Sequence, residues 1–86
     1  MFLLINIYSS NTTSAYVTGM DNFESYDEAR KEMKKRVMDA YLSYHKKWED
    51  NKEDEYHEPY IDGGDTTYFV SGYDYKDIWQ VYQLKL

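Results

Sequence analysis

Carboxylates are the residues of this sequence best placed by number to do chemistry, and they are bunched. Residues 49 to 65 hold Glu49, Asp50, Glu53, Asp54, Glu55, Glu58, Asp62 and Asp65 against one base, Lys52, a local net of −7 in a chain whose net charge is −6. Acid and base catalysis needs two carboxyl groups in environments that separate their pKa values, ordinarily inside a cleft. Acids strung along one loop of a small domain are solvated instead. A metal site could draw on His45, His57, Glu49, Glu53 and Glu58, with His45 and Glu49 one helical turn apart. That spacing matches no zinc pattern, and the run from 49 to 60 lacks the glycine and alternating acids of a calcium loop. A surface pair between His45 and Glu49 is the ordinary account, so no metal and no other cofactor is expected.

Two further constellations lead to the same place. Asp62-Gly63-Gly64-Asp65 has the glycines of a phosphate loop but no lysine, and its two aspartates would repel phosphate. A turn entering a strand explains it. No motif arranges Ser and His for nucleophilic attack, and with no cysteine there is no thiol nucleophile and no thiolate ligand. The chain therefore reads as non-enzymatic.

What remains for the acids is their field, which repels nucleic acid and draws basic protein surface. Glu49, Asp50, Glu53, Asp54, Glu55, Glu58, Asp62 and Asp65, with Tyr56 and Tyr60 among them, define a candidate partner-binding surface. The 73–77 turn adds Tyr73, Asp74, Tyr75 and Asp77. Carboxylates beside planar rings imitate phosphates beside bases, so the expected partner is a basic protein such as a nuclease or another nucleic-acid-binding enzyme, inhibited when its groove is occupied. In composition alone, the chain is similar to the small acidic proteins by which phages and mobile elements block such enzymes. The ordinary account of the same acids is solubility for a tyrosine-rich domain. Direct binding of nucleic acid would have to use the basic helix face described below, against the surrounding acidic potential.

The elements that must position these residues are legible in the periodicity. Eighty-six residues make one domain, with a small core supplied by eleven Tyr, three Phe and two Trp. Phe2 to Ser9 alternates with apolar residues on both faces, as a strand in the middle of a sheet does, and Ser14 to Thr18 returns as a hairpin partner that Gly19 ends. The opening residues lack a basic region and a cleavage site, so a strand fits them better than a signal peptide. Ser25 and Glu28 form a capping box. Ala29, Met33, Val37, Ala40, Tyr41, Tyr44 and Trp48 then recur at three- and four-residue steps, which predicts a helix fading near Asp50. Its outer side bears Arg30, Lys31, Lys34, Lys35 and Arg36, and residues 25–48 hold seven bases and four acids, a net of +3.

A long loop follows to Asp65, then strands over 66–72 and 78–86. The expected fold is α+β, β-β-α-β-β, with a four-stranded antiparallel or mixed sheet and the long helix on one face. One helix covers one face only. Phe69, Trp79 and Val81, with Tyr73 and Tyr8 or Tyr16, are expected on the other, so the second functional reading is a structural or regulatory homodimer joined through that aromatic face. No run approaches the length of a bilayer span, and a cytoplasmic, membrane-free setting is the expectation.

Overall fold

A computed structural model describes residues 1–50 and 58–85. The chain forms β1 (Phe2–Ser10), β2 (Thr13–Phe23), α1 (Tyr26–Asp50), β3 (Tyr60–Gly64), β4 (Thr67–Ser71) and β5 (Tyr75–Gln83). The five strands make one antiparallel sheet in the order β2-β1-β5-β4-β3, with α1 packed on one face. The α+β class holds, and the sheet has five strands where the sequence suggested four. No helix among the described residues is long and apolar enough to cross a membrane.

The extra strand is β3, which the glycines and the proline concealed. Gly63 and Gly64 depress strand propensity, and Pro59 stands just before, yet an edge strand tolerates both. Gly63 adopts φ 123°, and a Cβ there would lie 2.8 Å from the Tyr68 Cα and closer still to the Thr67 carbonyl. The position therefore needs glycine, because β3 presses its backbone directly against β4. Asp65, also left-handed at φ 51°, turns the hairpin. β2 differs too. It does not stop at Gly19 but runs to Phe23, because Gly19 pairs with Asn6 and a register shift at Thr18 absorbs the irregularity.

The helix begins as its sequence dictates. Ser25 Oγ accepts from the Glu28 backbone N–H at 3.1 Å, and the Ser25 carbonyl accepts from Ala29 N–H at 3.2 Å. Its apolar stripe meets the sheet through Ala29, Met33 and Val37, all buried against Leu4, Val70, Trp79 and Val81. Trp79 and Val81, expected on the open face, thus lie in the core, each 5% exposed. Short side chains on the helix explain the reversal. Ala29 and Val37 leave room above the central strands, and an indole fills it better than Ile78 does. Phe69 lies on the open face as expected, opposite Ile78 on the neighbouring strand.

Register gives a simple test of the hairpin. Gly63→Ala must force a left-handed alanine into backbone already in contact, so the variant should lose more than about 1 kcal/mol and melt about 5 °C or more below the parent. An unchanged thermal midpoint would mean that β3 does not approach β4 this closely.

Candidate functional site

Strand alternation sorts the chemically capable side chains onto two faces. Under α1, one cross-sheet row reads Tyr16, Tyr8, Asp77, Val70, Ile61. Asp77 is only 8% exposed, and two donors converge on it: Asn6 Nδ2 reaches Oδ1 at 2.6 Å, and the Tyr44 hydroxyl reaches Oδ2 at 2.9 Å. Asn6 also donates to the Ile78 carbonyl at 2.9 Å, and its own Oδ1 accepts from the Thr18 hydroxyl. The Tyr44 ring stacks on Tyr75 with centroids 4.4 Å apart. One chain of polar contacts therefore runs from β2 through β1 and β5 to the helix.

Burial sets the titration of this cluster. It raises the Asp77 carboxyl above its ordinary range, opposed by the bonds from Asn6 and Tyr44. Burial also raises Tyr44, helped by its bond to Asp77, and pushes Tyr75 up to about 12. A general base must face a reactant, whereas both Asp77 oxygens are occupied, one by Asn6 on β1 and one by Tyr44 on the helix. The neighbouring cleft, about 260 Å³, is lined by Tyr73, Asp74, Tyr75 and Lys76 with residues of the β1–β2 turn, and Asp77 is not part of its wall. Asp77, expected on a partner-binding surface, is thus an interior member of the fold, whereas Tyr75 is half-buried and lines that cleft. The carboxylate is held by its two donors and the tyrosine by its stack.

The other predicted surface residues divide between two ends of the sheet. Glu49 and Glu58 flank His45, at 3.3 Å from Nδ1 and 2.8 Å from Nε2, so His45 joins the end of the helix to the segment that enters β3. Asp50 ends the helix, and the Asp74 carbonyl accepts from Asn11 N–H at 2.9 Å near the same end. Tyr60 and Tyr73 are exposed. Asp65 sits at the opposite end, 3.8 Å from Arg30 in the first turns of the helix. Asp62 faces away from the helix and accepts from Gly63 N–H. Glu53, Asp54, Glu55, Tyr56 and His57 lie outside the described residues. Among the described residues no three His, Asp or Glu are grouped to hold a metal ion.

The basic side of the helix is likewise partly committed. Arg36 reaches Asp21 on β2 at 2.5 Å and Glu32 at 3.0 Å. The bond to Asp21 raises its already high pKa.

The face away from α1 is a sheet surface that no other element of the described residues covers. One row across it reads Val17, Ile7, Ile78, Phe69, Asp62, and the next reads Met20, Ile5, Gln80, Thr67. Val17 and Met20 on β2 are 53% and 58% exposed, and Tyr82 on β5 and Tyr60 on the far edge strand β3 are exposed too. Lys76 lies over the Phe69 ring at 4.2 Å. Among the described strand residues, Lys76 and Asp62 are the charged side chains that the register assigns to this face. The signal was present in the sequence as the second apolar face of β1, together with Ile78 and Tyr82. What the sequence lacked was the knowledge that Trp79 and Val81 belong to the other side.

No protein-family model, curated protein or solved structure matches this chain.

The Asp77 cluster yields a prediction with a definite sign. Its folded pKa is raised above the ordinary 3.8, so its contribution to stability is fully present below that value and is lost as pH rises through the elevated folded value. In Asp77→Asn a carboxamide can accept from Asn6 and donate to the Tyr44 oxygen with no buried charge. Urea unfolding should find this variant at least as stable as the parent at pH 7, with its advantage shrinking toward pH 4. Asp77→Leu, which strands both donors, should cost about 2 to 4 kcal/mol. A parent clearly more stable than Asp77→Asn at pH 7 would show instead that the carboxylate charge holds the fold.

Proposed function

We propose that this chain acts by binding protein, without chemistry of its own, and that its contact surface is the sheet face opposite α1. The observation that carries this reading is a five-stranded sheet with an apolar centre on the side no helix covers. Leu3, Ile5, Ile7 and Ile78 line the middle, and Val17, Met20, Phe69 and Tyr82 surround them. Sheets that face water on one side normally alternate to polar residues there. A contiguous apolar area on the order of several hundred Å² is the size that marks interaction sites on small proteins.

A basic partner drawn to residues 49–65 and 73–77 is the competing reading. It asks for one continuous acidic surface. Asp65 beside Arg30 and Glu49, Glu58 and Asp74 stand at opposite ends of the sheet, while Asp77 is turned inward. The sheet face has the continuity that the described acids lack, and for that reason it is favoured.

The reading is tested by comparing baits. Val17→Lys with Met20→Lys places two charges on the exposed part of the face, and Leu42→Lys places one on the outer side of the helix, where Leu42 is 57% exposed. Captured from its native lysate at moderate salt, the parent should hold copies of itself or other proteins that the double variant loses and Leu42→Lys keeps. Equal recovery by all three baits would end the reading.

A further inference from the structure

We propose that the occupant of the open face is a second copy of this chain, the two sheets packed face to face about a two-fold axis. This rests on the reading of the face as the contact surface and names its partner. Three observations carry it.

The first is area. Strands of 9, 11, 5, 5 and 9 residues, spaced about 4.8 Å apart and rising about 3.3 Å per residue, make a face of about 600 Å². Two such faces together remove about 1,200 Å², or somewhat more with side-chain relief, which reaches the range of specific stable interfaces.

The second is charge. The chain carries a net charge of −6, yet the register assigns to this face one acid, Asp62, and one base, Lys76. The face is neutral within an acidic protein. A basic partner would bring cations to a surface whose single acid, Asp62, is already offset by Lys76. A second copy brings another neutral apolar face, and an isologous contact of this kind is closed and self-complementary.

The third is shape. The row Val17, Ile7, Ile78, Phe69 runs unbroken across four strands and presents branched side chains ending in one ring. Two such rows interdigitate when aligned sheets cross at about 30°, at a separation of about 10 Å. The assembly would be helix, sheet, sheet, helix, with Trp79 and Val81 in the two outer cores and Ile7 and Ile78 in the shared one.

Salt separates this partner from a basic one. Two copies of net −6 repel at long range, so lowering the Debye length from about 30 Å at 0.01 M salt to about 8 Å at 0.15 M should strengthen self-association, whereas a basic partner would be released.

Sedimentation equilibrium of the purified chain over micromolar to submillimolar concentrations, at both ionic strengths, decides the matter. The expected result is a monomer–dimer equilibrium that tightens several-fold at 0.15 M salt. Val17→Lys with Met20→Lys should weaken it at least tenfold, and Leu42→Lys should leave it unchanged. The two added lysines bring the net charge from −6 to −4, which on charge alone would favour association, so a weakened dimer reports the face itself. Far-ultraviolet circular dichroism of the double variant confirms that it is folded before its mass is read.

A parent that stays monomeric at every concentration and both salts overturns the second-copy proposal. If the baits then still differ in what they capture, the face remains the contact surface for another protein. A dimer equally strong in the double variant overturns the second-copy proposal, because the copies would then meet elsewhere, and baits that also capture alike would overturn the reading of the face with it.

Discussion

A helix with its side chains is about 10 to 12 Å across, and five strands span about 24 Å. The single helix of this protein therefore shelters about half the width of one sheet face and none of the other. Its stripe settles over the inner strands, where Leu4, Val70, Trp79 and Val81 close around Ala29, Met33 and Val37. Everything else follows from what is left outside. β2 is exposed over almost its whole length, and it meets the helix side through the Arg36 bridge to Asp21 and the half-buried Phe23. The far face keeps its apolar residues without a layer to cover them.

Within the sheltered half, the polar contacts supply what apolar packing does not. Buried aliphatic and aromatic groups tolerate small slides, whereas a carboxylate flanked by two donors has one arrangement that satisfies it. Asp77 takes one bond from Asn6, which fixes β1 against β5, and one from Tyr44, which fixes the helix along the sheet. Taking a charge out of water is expensive, and the upward displacement of its carboxyl reflects that cost. In return the strand register and the helix position are coupled through a single side chain. The stack of Tyr44 on Tyr75 extends the same joint toward the β4–β5 turn.

The sequence was most legible where a local rule and the tertiary environment agreed. Ser25 and Glu28 announced the start of the helix, the spacing of Ala29, Met33 and Val37 announced its buried stripe, and apolar residues on both faces of β1 announced a place inside the sheet. β3 was illegible because Gly63 serves a close approach between backbones, while composition alone reads the Gly63-Gly64 pair as a loop. The faces of β5 were ambiguous for another reason. Ile78 and Tyr82 compete with Trp79 and Val81 in apolar character, and only the size of the helical residues opposite decides between them. Asp77 counted as one acid among many in the sequence; nothing local says that Asn6, seventy-one residues earlier, would meet it.

The pairing of β1 with β5 also has a temporal meaning. During synthesis the first strand emerges with only β2 as a neighbour, and its other edge stays open until residues 75–83 have been made. For all that interval the leucines and isoleucines of β1 have neither the helix-side core nor a second inner strand to hold them. Closing so long a loop is entropically costly, so the pairing of β1 with β5 is the most non-local contact the fold has to make.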